Sequence, residues 1–178
     1  MEADERFTAF VREHTAALLK TGYLLTRDAV EAEELVQDSL VWLYPRWRQV
    51  EAAEHQLAYV RKAVVNRFLA GKRRMSSTEV HFDASLERFS DTPLPRDETA
   101  EVDERLAIWA ELGELSERQR AALVLRFFHD LPDAEVAQVL DCRVGTVRSL
   151  ISRSLSALRR TGTFADDGTG SEYLRNVK

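Results

Sequence analysis

The chain has 178 residues but only one cysteine, Cys142, so no internal disulfide framework can form. It has seven glycines and four prolines, and so few helix breakers favour long helices. No apolar run reaches the roughly 18–20 residues that span a bilayer. The opening MEADERFTAF is acidic and polar, unlike a secretory leader. These absences predict a reduced, cytoplasmic protein without membrane insertion. The four histidines, His14, His55, His81 and His129, are scattered without metal-ligand spacing. There is no glycine-rich phosphate loop, and Cys142 has no histidine near it in sequence. No metal, cofactor, small-molecule substrate or catalytic residue is expected, and Cys142 reads as a small turn residue.

Charge is not scarce, but it is unevenly spread. The net charge is -5, yet residues 75–104 alone carry -7 and the remainder +2. Two stretches hold cations without acids: His55 to Thr78 with six, and Cys142 to Ala165 with five. Such clustering is a better sign of nucleic-acid binding than the total.

Every well-patterned segment has a helical period, so the predicted fold class is all-α. A first helix runs from about Asp4 to Thr21. A second starts at the N-cap Asp28 and runs to about Trp47, with Pro45 kinking or ending it. A third covers about Glu54 to Arg74, with Leu57, Val60, Val64 and Phe68 as its apolar stripe. The pattern then dissolves into an acidic linker, with one short helical turn predicted at Ala84–Phe89. Helical pattern returns from Ala100 to Leu112. It continues in a helix capped by Ser116, a short helix with Pro132 in its first turn, and a last helix from Val144 to Arg160. The predicted domains are 1–74 and 100–161, with a linker at 75–99 and a mobile tail at 162–178.

PDAEVAQVLDCRVGTVRSLISR has helix-turn-helix spacing. Ala137 is small where two helices cross. Asp141 stands at the turn, where a left-handed backbone is needed. Val144, Val147, Ile151, Leu155 and Leu158 form the inward stripe. Arg143, Thr146, Arg148, Ser149, Ser152 and Arg153 lie away from it. Arginine grips phosphate or a guanine edge, and serine is short enough to let the backbone approach. The alternative is a solvated arginine face, although such faces usually mix both signs.

The third helix has its own cations. Tyr59, Lys62, Asn66 and Arg73 lie away from its stripe, flanked by Arg61, Arg67, Lys72 and Arg74. An aromatic, an amide and cations on one helix suit stacking on an unpaired base and phosphate contacts, or simply a solvated face. The second helix is acidic: Glu34, Gln37 and Asp38 flank Leu35 and Val41. By composition alone that face is solvated or docks a basic partner.

RDAVEAEELVQDSLVWLYPRW, AYVRKAVVNRFLAGKRR and the segment from LSERQRAALVL to SALRR follow one another in order. Together they resemble successive regions of extracytoplasmic-function (ECF) sigma factors, the SigE-like subgroup among them. The resemblance implies a transcription-initiation factor with no chemistry of its own. Such a factor binds core RNA polymerase, recognises the minus-10 and minus-35 promoter elements and promotes DNA melting. It assigns polymerase docking to Glu34, Leu35, Gln37, Asp38 and Val41. It assigns minus-10 DNA to Tyr59, Arg61, Lys62, Asn66, Arg67, Lys72, Arg73 and Arg74. It assigns minus-35 DNA to Arg143, Thr146, Arg148, Ser149, Ser152 and Arg153. Leu150, Ser152 and Asp141 depart from the usual pattern, which leaves the promoter sequence open. Many relatives are held by an anti-sigma factor, and the sequence leaves that partner open too. Two rival readings remain at this stage: a dimeric helix-turn-helix regulator of duplex DNA, and a helical adaptor that binds acidic proteins.

Overall fold

The structure, a computed structural model, describes residues 3–76 and 115–160. Most of the expected linker, the expected helices at 84–89 and 100–112, and the tail lie outside those residues. All regular structure within them is helical.

Helix α1 spans Ala3–Thr26, and α2 spans Ala29–Leu43. Arg27 turns the chain between them at φ 65°. The Asp28 carboxylate then caps α2 by accepting from the Glu31 amide at 2.9 Å. Pro45 stops α2 as predicted. Tyr44–Arg46 tightens into a 3₁₀ turn, and Trp47–Ala52 continues as the short helix α3. Helix α4 spans Gln56–Ser76, two residues into the expected linker.

In the C-terminal set, α5 spans Glu117–Leu123 and opens on a full capping box between Ser116 and Gln119. It widens into a π-helical turn at Val124–Phe128. Helix α6 spans Asp133–Val139, with Pro132 at its N-cap, and α7 spans Val144–Arg160. Asp141, between α6 and α7, has φ 48°. The left-handed turn predicted for that position is formed.

Leu18, Leu25, Leu43, Val50, Val60 and Val64 are fully buried in the N-terminal set. Phe7 and Phe10 both meet the Trp47 ring edge-on. Helices α1 and α2 cross where Gly22 has no side chain. A Cβ there would sit 3.1 Å from the Ala32 carbonyl oxygen and 3.2 Å from the Ala32 Cβ. Alanine would gain about 1 kcal/mol of helix propensity. The obstructing atom is backbone within α2, however, and overpacking costs about 1–3 kcal/mol. Gly22→Ala is therefore expected to destabilise the protein by about 1 kcal/mol net, read as a lowered urea midpoint.

The two sets are in contact. Helices α1 and α4 pack on α5, and α4 packs on α6 as well. Val36, Val64 and Val65 share one apolar cluster with Leu125, Leu131 and Val136. Polar links cross the same seam. Lys62 Nζ donates to Glu135 Oε2 at 3.2 Å, and both side chains are buried. The Arg120 guanidinium donates to the Leu25 carbonyl. His129 Nε2 lies 3.4 Å from Thr21 Oγ1.

Candidate nucleic-acid and polymerase interfaces

Val147 is fully buried and anchors α7 on the core, with Leu158 buried further along. Val144, Ile151 and Leu155 are half-buried on the same side. That stripe fixes which face turns outward. Arg143, Thr146, Arg148, Ser149, Ser152 and Arg153 are all exposed, as the sequence pattern requires. Cys142 is half-buried at the turn, and its amide donates to the Ala137 carbonyl at 3.0 Å. Ala137 is buried.

Helix α4 differs from expectation. Val60, Val64 and Phe68 of its stripe are buried as predicted and Leu57 is half-buried, but much of the opposite face is buried too. Arg61, Lys62 and Asn66 are 5%, 4% and 8% exposed. The expected open basic face is therefore not solvent-facing at these residues. The physical reason is the C-terminal set. It covers α4 and supplies Glu135 as the carboxylate that compensates Lys62, since an uncompensated buried cation is too costly. Tyr59 is half-buried, and burial raises its phenol above the ordinary value. Arg67 is only partly covered and lies 3.6 Å from Asp38. The backbone of Lys72, Arg73 and Arg74 is helical, and their side chains lie outside the described atoms.

On α2, Glu34, Gln37 and Asp38 are exposed. Val41, 73% exposed, is a bare apolar side chain beside them, and Leu35 is half-buried.

The model of Sigma-70, region 4 matches residues 105–158. The RNA polymerase sigma-E factor of Streptomyces coelicolor is 31% identical over 153 residues, spanning 86% of this chain and 84% of that protein. The chain belongs to the ECF sigma factors. The ECF sigma factor SigL of Mycobacterium tuberculosis is 28% identical, spanning 86% of each. The solved sigma factor RpoE of Bartonella quintana, crystallised with the anti-sigma factor NepR, superposes at a TM-score of 0.61 with 22% identity. That superposition covers 92% of this chain and 99% of that one, which is agreement in fold. As an ECF sigma factor, this protein binds core RNA polymerase and recognises promoters, and it is not an enzyme. Among the described residues no helix is long and apolar enough to cross a membrane.

Sequence reasoning missed several residues that matter to how this sigma factor's helices meet. Glu135 was seen only as part of the short helix, and its partner Lys62 lies 73 residues away. His129 was classed as isolated, yet it is fully buried at the seam. Asp133 was passed over, although its carboxylate touches both Arg126 and Arg148. None of these pairings has a local period that could have revealed it.

Proposed function

We propose that the exposed face of α7 reads the minus-35 element, that α4 holds the minus-10 strand, and that the Glu34–Val41 face of α2 docks on polymerase. The observation that carries this reading is α7 itself. Buried Val147 leaves Arg143, Thr146, Arg148, Ser149, Ser152 and Arg153 together on one solvent-facing side of a helix that carries no acid of its own. A helix anchored in this way enters the major groove by its N-terminal part. Arg148→Ala and Arg153→Ala are each expected to weaken minus-35 use by about 1–2 kcal/mol, within the range of a bidentate base contact. Promoter competition with core polymerase measures it.

The buried state of Arg61, Lys62 and Asn66 belongs to the same proposal. The described arrangement is a closed one in which α5 and α6 cover part of the minus-10 face. Productive engagement requires the two helical sets to part, so that the cations exchange Glu135 and the covering helices for DNA phosphates and an unstacked base. Binding to polymerase and DNA offsets the lost seam contacts. The proposed chain of events contains no bond-making by this protein. An anti-sigma factor is assigned as a further partner, by analogy with the complex of the structurally similar RpoE.

Run-off transcription with purified core polymerase tests the whole reading. The expected result is initiation from a template carrying two separated promoter elements, abolished by deleting either. Binding to a two-fold duplex site without polymerase, and no run-off, would instead support a dimeric regulator.

A further inference from the structure

Arg148 is an exposed cation on the recognition helix, and it is not free to wander. Its Nε donates to Asp133 Oδ2 at 3.1 Å, while its side chain stays 72% exposed. A guanidinium held through Nε still has both terminal nitrogens to offer. Those two form the fork that matches a guanine edge or a phosphate. The holding carboxylate is itself fixed. Asp133 Oδ1 lies 3.3 Å from the Nε of Arg126. Arg126 in turn lies 3.6 Å from Asp130 and stands over the Phe127 ring. Asp130 sits in a turn at φ 51°. The result is a chain of alternating charges, Asp130, Arg126, Asp133 and Arg148, running from the π turn to the DNA-facing surface. Arg126, Asp133 and Arg148 line one open cleft of about 320 Å³ together with Ser152 and Ser156.

We propose that Asp133 is the positioning residue that aims Arg148 at one place in the minus-35 element. This rests on the reading of α7 as the minus-35 helix and deepens it. The position of the acid has a second effect. A carboxylate beside a DNA-binding surface repels phosphates, so it costs affinity for any sequence. What it adds is a fixed direction for the arginine fork, which favours one base pair over others. Asp133 thus exchanges general affinity for discrimination. That exchange distinguishes it from an ordinary surface ion pair, whose loss changes little.

The test uses the full chain with core polymerase and a template pool randomised at both promoter elements. Transcribed templates are sequenced to give the base preference at each position. Arg148→Ala should flatten the preference at one or two minus-35 positions. Asp133→Ala should flatten the same positions by roughly three- to tenfold and leave the others intact. It should also steepen the salt dependence of duplex binding by about 0.9, one more phosphate contact's worth. Asp133→Asn should retain most of the preference, because its side-chain carbonyl still accepts from Nε. The double variant should be no flatter than Arg148→Ala alone. If Asp133→Ala leaves the preferences unchanged while Arg148→Ala flattens them, the positioning role is wrong. It is also wrong if Asp133→Ala and Asp133→Asn lower all promoters equally, which marks a structural role. A native chain that drives no run-off from any template overturns the reading beneath, and the inference falls with it.

Discussion

Replacing Glu135 with alanine is expected to part the two helical sets. Lys62 Nζ and the Glu135 carboxylate are 3.2 Å apart, with side chains only 5% and 11% exposed. Removing Glu135 takes away the carboxylate to which the buried Lys62 ammonium donates. That costs about 3–5 kcal/mol, far more than an exposed pair is worth. The strain has a simple relief: α4 and α6 separate and Lys62 returns to water. The expected results are an increased radius of gyration in solution scattering and a lower concentration of factor needed to saturate core polymerase. An unchanged radius would refute the role of the Lys62–Glu135 pair in holding the two sets together. Glu135 also lies in the first turn of α6, where an acid contributes about 0.3–1 kcal/mol to the helix itself. Glu135→Gln separates the contributions. It loses the charge at both places, but it keeps an acceptor for Lys62 and should open the seam less than alanine.

Acid is expected to loosen the same seam. His129 is buried where α1 and α4 meet the C-terminal set. Its Nε2 faces Thr21, and its Nδ1 has no hydrogen-bond partner among the described residues. Burial, helped by the Arg61 charge, pushes its pKa well below the ordinary histidine value. The closed form therefore binds no proton at His129, while an opened form does so below about pH 6.5. The contribution to stability is complete above that pH and falls as the pH drops beneath it. Urea midpoints measured at pH 7.5 and pH 5 should differ accordingly. In His129→Gln, which has no titrating group at this site, the difference should shrink.

The sequence made some features legible and hid others, for a physical reason. Local features were readable. The Ser116 cap, the stop at Pro45, the left-handed Asp141 and the outward face of α7 each depend on residues within about a turn of one another. The closed arrangement depends on meetings across long separations, such as Lys62 with Glu135 and Thr21 with His129. Periodicity reports which side of a helix is apolar, and α4 has a clear apolar side. It does not report that the polar side is also covered, because a lysine buried by pairing reads like a solvated one. The π turn at Val124–Phe128 was hidden too, since VLRFF continues a helical pattern without a breaker.

The pair between Arg67 and Asp38 has its own consequence. It joins a cation on the helix proposed to hold DNA to an acid on the helix proposed to dock on polymerase, 3.6 Å apart. Asp38 cannot give itself fully to Arg67 and to a basic group of the polymerase at once. If Asp38 docks on the polymerase as proposed, docking releases Arg67 toward DNA, and DNA bound at Arg67 releases Asp38 toward the polymerase. By reciprocity the two affinities rise together by the same factor. A single exposed ion pair makes that factor small. Its sign nevertheless favours assembly as a three-way complex over binding to either partner alone.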